Sequence, residues 1–472
     1  MTHPFVTTVN PSTGAKLADY PSMERDAVIA TLAEVTDAQI SWGALQVEVR
    51  ADHLRAIARE LRSQRQLLAD LMTAEMGKPI SESMAEVDKC ALACDYYAEQ
   101  GPQALADREV MTEATRSWVS HEPLGVVLAV MPWNFPLWQV LRFAAPCLLA
   151  GNAGLLKHSP NVTGCALAIE RVFRDAGLPA NVFRSLVIEE SAVPETTETL
   201  IADSRVSAVS LTGSERAGMA VGAAAGRAVK KSLLELGGSD PFIVLADADV
   251  ELAAAAAVRS RFLNTGQSCL AAKRFIAHRS VVDQFTELFA SGVDILVVGD
   301  PTRATTQIGP MAREDLASDL RRQLASSVAD GARVRTRRTI EQSGGAWFTP
   351  TVVDAVTLDM AVMREETFGP LAAVFPVDDD AEAVRAANAT PYGLGASVWS
   401  RDTARALGVG RQITSGALFV NAVVASDPRL PFGGTKRSGY GRELGSEGAV
   451  EFTNVRTYVV GGGSVHAGAG TE

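Results

Sequence analysis

The sequence has few cysteines, few histidines and no long apolar run, and each shortage excludes a class of protein. The five cysteines are odd in number and scattered, so they predict no disulfide framework and favour a reducing compartment. The six histidines are dispersed, and no Cys/His pairs have the spacing of a zinc site, so no metal site is expected. The longest apolar stretch, near residues 124–131, is broken at Pro132 and falls short of the ~20 residues that a membrane span requires.

Positive charge is scarce as well. The net charge is −11 and the isoelectric point is near 5.2, which argues against a nucleic-acid or anionic-membrane surface. The start of the chain shows no charged segment followed by an apolar one, so we expect no secretory signal and a cytoplasmic location. With 472 residues and 47% hydrophobic residues, the chain can form two or more globular domains.

The periodicity of apolar residues predicts two α/β units. Residues 23–99 have a helical pattern that is interrupted once, at 77–79. Short β-rich runs then alternate with helical ones from 124 to 245, and again from about 237 to 420, as βαβ units with parallel sheets do. Residues 109–122 alternate like a strand or hairpin, and the Gly-rich tail after Tyr458 is predicted to be disordered at its end.

Three residues combine the chemistry of acyl transfer. Cys269 follows a short polar turn and can act as a nucleophile if its proton is removed, although a lone cysteine more often only packs. Asn134 lies between two prolines, where a rigid amide could stabilise an oxyanion or simply cap a helix. Glu235 ends a predicted strand beside paired glycines, which suits a general base, although it could be an exposed carboxylate.

A second group of residues suits a nucleotide. Lys157 ends a predicted strand and Ser159 follows it, so they could meet a ribose or a phosphate. Gly213 and Ser214 lie where a strand leads into a helix, a position that presents a helix N-terminus to phosphate, but the usual dinucleotide fingerprint is missing. The segment from Glu366 to Phe368 offers a carboxylate and an aromatic ring. Taken singly, each of these is more often ordinary surface or turn structure.

Together these motifs resemble the aldehyde dehydrogenase superfamily, in order and over nearly the whole chain. The matching blocks are P-W-N-F-P at 132–136, T-G-S-x-x-x-G at 212–218, E-L-G-G at 235–238, G-Q-x-C at 266–269, E-E-x-F-G-P at 365–370 and P-F-G-G-x-K-x-S-G at 431–439. The steps of 34 residues from Glu235 to Cys269 (269 − 235) and of 97 residues from Cys269 to Glu366 (366 − 269) also match the family. Each block alone is modest evidence, but their ordered combination is specific.

The resemblance implies an aldehyde dehydrogenase-like α/β fold in three parts. A Rossmann-like NAD(P)-binding domain would comprise residues 1–108 and 123–235, and an α/β catalytic domain residues 236–425. A small β oligomerisation arm with the tail would comprise 109–122 and 452–472. The family's assembly implies a homodimer or homotetramer.

The resemblance also implies a mechanism and a cofactor site. Cys269 would attack the aldehyde carbon, while the Asn134 amide and the Cys269 backbone N–H hold the oxyanion. Hydride would pass to NAD(P)+, and Glu235 would then activate water to hydrolyse the thioester. The expected cofactor-binding residues are Trp133, Lys157, Ser159, Gly213, Ser214, Leu236, Glu366 and Phe368.

One position bears on the choice of cofactor. Members of the family that prefer NAD+ often have a glutamate three residues after the strand-end lysine, where it would repel a 2′-phosphate. Here that position is Pro160, and Lys157 and Ser159 could bind the phosphate. We therefore expect NADP+ as the cofactor, with NAD+ as the alternative.

Arg142, eight residues after Asn134, bears on the substrate. An arginine there suggests a carboxylate at the far end of the aldehyde, and the surrounding residues are similar to those of bacterial semialdehyde dehydrogenases, so succinate semialdehyde is the expected substrate. Leu263 stands where some of those enzymes place a second arginine, which leaves Arg142 and Ser426 as the expected clamp. Alternatives are a helix-surface salt bridge for Arg142, another semialdehyde or a simple aliphatic or aromatic aldehyde as substrate, and a cofactor-free thiol esterase.

Overall fold

The computed structural model describes residues 5–340 and 344–461. Its strands alternate with helices over most of the chain. The strands are β1 (Phe5–Val9), β2 (Lys16–Pro21), β3 (Arg108–Glu109), β4 (Arg116–Pro123), β5 (Val126–Met131), β6 (Ala153–His158), β7 (Phe183–Leu186), β8 (Val206–Thr212), β9 (Lys231–Glu235), β10 (Asp240–Val244), β11 (Ala272–His278), β12 (Arg333–Val334), β13 (Thr351–Asp354), β14 (Leu371–Val377), β15 (Gly395–Trp399), β16 (Ala417–Val420), β17 (Gly439–Tyr440) and β18 (Thr453–Val460).

The helices cover the sheets and form an N-terminal bundle. They are α1 (Arg25–Gly43), α2 (Val47–Ser63), α3 (Arg65–Met76), α4 (Ile80–Ala104), α5 (Trp138–Leu149), α6 (Thr163–Asp175), α7 (Val193–Ala202), α8 (Glu215–Arg227), α9 (Val250–Phe262), α10 (Val282–Asp294), α11 (Glu314–Ala329), α12 (Ala361–Arg364), α13 (Asp380–Asn388), α14 (Thr403–Gly410) and α15 (Gly445–Glu451). The predicted helical region 23–99 is thus four helices. Its break lies at Gly77, which ends α3 with a φ of 76°, a conformation that favours glycine.

The first large sheet has the strand order β17-β9-β8-β5-β6-β7 and is parallel except at β17. Its strands are mostly runs of Val, Leu and Ala that are buried on both faces, as a parallel sheet covered by helices requires. The strands β9, β8, β5 and β6 are neighbours, so their carboxyl ends form one edge. Residues that directly follow these strands therefore meet there.

The second large sheet has the order β12-β13-β14-β11-β10-β15-β16 and is parallel except at β12. Its centre includes β11, which the sequence pattern did not predict as a strand. The chain enters this sheet at β10 directly after leaving the first sheet at β9. The nucleophile candidate Cys269 comes just before β11, so it lies where the two sheets approach each other.

A third, antiparallel sheet has the order β18-β4-β3. The rings of Trp118 and Tyr458 stack on it with centroids 4.7 Å apart. Val455, Val459 and Val460 are exposed on β18. The segment predicted as an arm is therefore β-structure that pairs with the end of the chain. The disorder predicted for the tail concerns residues 462–472, which lie outside the described residues.

The predicted α/β fold class, with two mainly parallel sheets and a small β arm, is confirmed. The boundaries predicted for the three domains stay predictions. Within residues 5–340 and 344–461, no helix combines the length and the apolar character needed to cross a membrane. The same residues contain no group of three or more side chains placed to hold a metal ion.

Candidate active site

Cys269 is half-buried and lies between the 3-10 turn Leu263–Gly266 and β11. The turn is tight, because Asn264 and Thr265 both have a φ of 54° and a Cβ on Gly266 would lie 2.5 Å from the carbonyl of Gly369. Burial raises the pKa of Cys269 to about 11, although the positive charges of Arg142 and Lys273 oppose this. The thiol therefore needs a nearby base to become a nucleophile.

Lys273 fixes the loop that carries Cys269. Its buried Nζ donates hydrogen bonds to the backbone carbonyls of Ser268 at 2.9 Å and Cys269 at 2.7 Å. The same ammonium lies 3.5 Å from Glu366 Oε1. Among the described residues, no acceptor takes the Cys269 backbone N–H, which leaves that donor free for an oxyanion.

Asn134 lies beside this loop, and the two segments bond each other in both directions. The Asn134 amide donates to the Gln267 carbonyl at 3.2 Å, and the Asn264 amide donates to the Asn134 carbonyl at 2.7 Å. Only 4% of Asn134 is exposed, so its amide has little freedom to move. A rigid N–H donor beside a thiol can stabilise negative charge that develops on a carbonyl oxygen.

The segment that carries Asn134 is held by a buried ion pair. Glu86 of α4 accepts hydrogen bonds from the backbone N–H groups of Leu137 and Trp138, both at 2.9 Å. Its other oxygen pairs with Lys78, whose ammonium lies 3.8 Å from the centroid of the Phe135 ring. Glu86 therefore accepts two backbone N–H groups that would lack a partner at the start of α5, and the ion pair fixes the backbone around Asn134.

Glu235 ends β9 and is 2% exposed. Burial raises its pKa well above the usual range, with Arg142 opposing and Glu443 reinforcing the shift. Its Oε1 is buried and hydrogen-bonds to no other described residue. A carboxylate of raised pKa that lacks a partner can accept a proton from water or a thiol.

The remaining predicted cofactor residues lie mostly along the carboxyl edge of the first sheet. Lys157 lies near the end of β6 and is 8% exposed, and its ammonium forms no hydrogen bond or ion pair with another described residue. Burial lowers its pKa to about 8. Ser159 follows it and donates to Asn161 Oδ1 at 2.7 Å. At the end of β8, Ser214 caps α8 by accepting from the Ala217 N–H at 3.3 Å.

Gly213 and Leu236 connect neighbouring strand ends. The Gly213 N–H donates to the Glu235 carbonyl at 2.9 Å, and the Leu236 side chain packs where a Cβ on Gly218 of α8 would lie. The α8 N-terminus is thereby held close to the end of β9, and it faces the same edge as Lys157. This arrangement suits a phosphate group.

Glu366 and Phe368 precede β14 of the second sheet, and Trp133 follows β5 of the first sheet. Glu366 Oε1 accepts the N–H of Gly238 at 3.0 Å, and a Cβ on Gly237 would lie 2.2 Å from Glu366 Oε2, so a larger residue at 237 would displace this carboxylate. The rings of Trp133 and Phe368 meet edge to face with centroids 5.8 Å apart. The carboxylate and the two rings therefore lie beside the Cys269 loop, to which Glu366 is linked through Lys273.

The alternative that placed Arg142 in a salt bridge on a helix surface is wrong, because the side chain is buried. It is 2% exposed, and its ion-pair partner is Glu443, which is equally buried. It also donates to Thr212 Oγ1 at 3.3 Å and stacks over the Phe432 ring with 4.6 Å to the centroid. Glu443 was missed in the sequence, because a single glutamate after a glycine-rich loop has no distinguishing pattern.

Ser426 has a different cationic partner, since its hydroxyl accepts a hydrogen bond from Lys89 Nζ at 2.7 Å. Lys89 was also missed, because one lysine in a long helical pattern normally indicates a solvated face. The structure thus shows two cations near the predicted substrate region. One of them, Arg142, is neutralised by a carboxylate of the protein itself.

Comparison with known proteins agrees with this geometry. Residues 2–458 match the model of the aldehyde dehydrogenase family, and the chain belongs to that family. It is 46% identical to a probable succinate-semialdehyde dehydrogenase [NADP(+)] of Synechocystis sp., covering 96% of this chain and 99% of the relative. It is 44% identical to the succinate semialdehyde dehydrogenase [NAD(P)+] Sad of Escherichia coli, covering 95% and 96%.

Solved structures show the same likeness. The crystal structure of succinic semialdehyde dehydrogenase from Streptococcus pyogenes, in complex with NADP+ as the cofactor, superposes with a TM-score of 0.92 at 34% identity. The superposition covers 97% of this chain and all of that one, 100%. The resemblance to the aldehyde dehydrogenases is thereby confirmed over nearly the whole chain.

Proposed function

We propose that this enzyme oxidises succinate semialdehyde to succinate with NADP+, or with NAD+ as the alternative cofactor, through a thioester on Cys269. The observation that carries the proposal is the convergence of Cys269, Asn134 and Glu235, with partners suited to each, where the two large sheets meet. The names of the two relatives and of the Streptococcus enzyme support the choice of substrate and cofactor.

Each residue of this trio has a role that its surroundings suit. Glu235 takes the proton of the Cys269 thiol and passes it to solvent, and the thiolate attacks the aldehyde carbon. The oxygen that becomes negative is held by the Asn134 amide and the Cys269 N–H. When bound, NADP+ supplies the acceptor for the hydride that leaves this carbon. Glu235 takes a proton from water, the water oxygen attacks the thioester carbon, and the carbon–sulfur bond breaks to release the acid and the Cys269 thiolate.

The residues at the sheet edge fit NADP+. Lys157 presents a buried ammonium that has no partner within residues 5–340 and 344–461, and a 2′-phosphate or ribose oxygens would supply one. Ser159 adds a hydroxyl beside it, and Pro160 brings no negative charge. Ser214 and Gly213 at the α8 N-terminus would hold the pyrophosphate with Trp133, Leu236 would pack nearby, and Glu366 and Phe368 would contact the ribose and the nicotinamide.

The proposal extends to the domain boundaries, the oligomeric state and the cellular location. The cofactor would bind to the NAD(P)-binding domain, residues 1–108 and 123–235. The catalytic domain, residues 236–425, would supply Cys269, and the arm, residues 109–122 and 452–472, would mediate assembly. The exposed valines of β18 suit the homodimer or homotetramer expected for the arm. The free cysteines suit a cytoplasmic enzyme.

The test is the initial rate of reduced-cofactor formation with succinate semialdehyde, hexanal and benzaldehyde, each with NADP+ and with NAD+. We expect the highest kcat/KM for succinate semialdehyde with NADP+, and no activity in Cys269→Ser. Equal or better rates with the uncharged aldehydes would instead identify a general aldehyde dehydrogenase. Ester cleavage at the same rate without cofactor would identify a thiol esterase.

A further inference from the structure

The ammonium of Lys273 is buried behind the loop that carries Cys269, and three acceptors surround it. Lys273 is the second residue of β11 and is 0% exposed. Its Nζ donates to the backbone carbonyls of Ser268 at 2.9 Å and Cys269 at 2.7 Å. The same Nζ lies 3.5 Å from Glu366 Oε1. An ammonium has three N–H donors, so two carbonyls and one carboxylate satisfy it.

The contact with Ser268 fixes the direction of a neighbouring backbone donor. The carbonyl of Ser268 and the N–H of Cys269 belong to one peptide unit, which is planar and trans, so the two groups point in opposite directions. Because Lys273 holds the carbonyl, the N–H points away from the ammonium. Among the described residues this N–H has no acceptor. Lys273 therefore aims a free donor that belongs to the residue bearing the thiol.

A second buried carboxylate lies beside Lys273 in the sheet. Asp240 begins β10 and is aligned with Ala272 of β11, the residue before Lys273. It is 1% exposed, and its Oδ1 accepts the N–H of Gly395 at 2.9 Å. Its Oδ2 is buried and has no hydrogen-bond partner within residues 5–340 and 344–461. The carboxylate thus has one oxygen whose charge no hydrogen bond offsets.

The charges around Lys273 oppose each other. Burial lowers the pKa of Lys273, and the charge of Arg261 on α9 lowers it further. Glu366, Asp240 and the thiol of Cys269 oppose this shift. The two carboxylates therefore favour the ammonium over the neutral amine at a site that excludes water, and the ammonium is the stronger hydrogen-bond donor.

We infer that Lys273, kept charged by Asp240 and Glu366, is a positioning residue that orients the Cys269 N–H towards the oxyanion of the bound aldehyde. The inference rests on the proposed function and adds Lys273 and Asp240, to which the sequence motifs assign no role. A purely electrostatic effect of Lys273 would act on the thiolate alone. An orienting effect acts in addition on the oxygen of the adduct, so a reaction that forms an oxyanion separates the two.

The test compares two reagents for Cys269. Iodoacetamide alkylates the thiolate by displacing iodide, so no oxyanion forms, and mass spectrometry follows the product. Butyl trifluoromethyl ketone is attacked by the thiolate at its carbonyl carbon, and the carbonyl oxygen becomes an alkoxide that needs the N–H donors. Fluorine NMR gives the dissociation constant of this adduct without any cofactor. The other four cysteines are buried, which restricts both reactions to Cys269.

We expect Lys273→Met to weaken the ketone adduct at least about tenfold more than it slows alkylation at the same pH, because the Ser268 carbonyl is no longer held. Asn134→Ala, which removes the other oxyanion donor, is the reference for a lost contact to the adduct. Lys16→Met, which changes an exposed lysine paired with Asp19, is the matched control and should change neither reaction.

Asp240→Asn gives an independent test through pH. Burial raises the pKa of Asp240 to about 7. Lys273, the Gly395 N–H and Arg274 oppose this shift, and Glu366 reinforces it. The side chain is therefore mostly neutral at pH 6 and charged at pH 9 in the wild type. The variant should match the wild type in ketone affinity at pH 6 and bind it more weakly at pH 9, where Lys273 has lost one of the charges that keep it protonated.

The outcomes separate the two proposals. If the wild-type enzyme forms no ketone adduct on Cys269, the proposed chemistry is wrong, and the inference falls with it. If the adduct forms and Lys273→Met weakens it no more than it slows alkylation, Lys273 acts on the thiol alone and the inference is overturned. Should the Met variant fail to fold in thermal unfolding, Asp240→Asn decides, and a difference from the wild type that is the same at pH 6 and pH 9 overturns the inference.

Discussion

The buried pair of Lys78 and Glu86 gives the sharpest prediction about how the site is held. The side chains are 0% and 2% exposed, and the Glu86 carboxylate also accepts the N–H groups of Leu137 and Trp138. Lys78→Met keeps the aliphatic chain over Phe135 but leaves the Glu86 charge without its counter-ion. We expect this variant to lose stability and activity together, because α5 begins at the residues that Glu86 binds.

The magnitude follows from the burial of both partners. Removing one partner of a buried ion pair costs about 3–5 kcal/mol, since the other charge stays desolvated. The two N–H donors still stabilise Glu86, which places the expected loss near the lower end, about 3 kcal/mol. Adding Glu86→Gln removes the stranded charge while an amide oxygen can still accept both N–H groups. The double variant should therefore lie within about 1–2 kcal/mol of the wild type.

The assay is a double-mutant cycle of urea-induced unfolding, at fixed protein concentration, with kcat measured on the same samples. We expect a coupling energy of at least about 1 kcal/mol and partial recovery of kcat in the double variant. If the losses of the single variants simply add, the pair does not act as a unit. The reasoning about the support of Asn134 would then be refuted.

Three further predictions concern the reacting groups. Asn134→Ala should lower kcat by about 10²–10³, the usual cost of removing one oxyanion donor, with little change in cofactor affinity; a loss below threefold would remove the amide from that role. Glu235→Gln should stop thioester hydrolysis, so that stopped-flow absorbance shows one rapid equivalent of reduced cofactor per subunit and mass spectrometry shows acylated Cys269; continued turnover would contradict this. Burial raises the pKa of Glu82, which accepts the Asn264 N–H at 2.7 Å, to about 7. The folded state therefore binds the proton more tightly than the unfolded chain, so the stability that Glu82 contributes is present below its ordinary pKa near 4.5 and is lost as pH rises through about 7. Glu82→Gln should then be more stable relative to wild type at pH 8 than at pH 5 in thermal unfolding, and an equal difference at both pH values would refute the assignment.

Much of the fold could be read from local patterns. The strands β5, β6, β8 and β9 were predicted because each is a short apolar run bounded by turn residues, and their helices were predicted from the 3.6-residue repeat. The chemistry of Cys269 and Asn134 was also visible locally, since the motif blocks fix which residue follows which strand. The sequence by itself therefore determined the order of the elements and the family.

The central strand β11 could not be recognised in this way. It contains Lys273 and Arg274, which are fully buried, and charged residues normally count against a central strand. The structure satisfies these cations with backbone carbonyls from elsewhere in the chain, for example Arg274 with Ser239, Ala386 and Ala387. A pattern of polarity along one segment does not contain these distant acceptors.

The electrostatics of the substrate region was likewise decided by tertiary structure alone. Whether Arg142 was free for a ligand depended on Glu443, which lies 301 residues further along the chain (443 − 142). Lys89 and Ser426 are 337 residues apart and meet only after folding. The residue types are local information, but the charge that each presents to a ligand depends on which partners packing brings within a few ångströms, because desolvation and ion pairing act through space rather than along the chain.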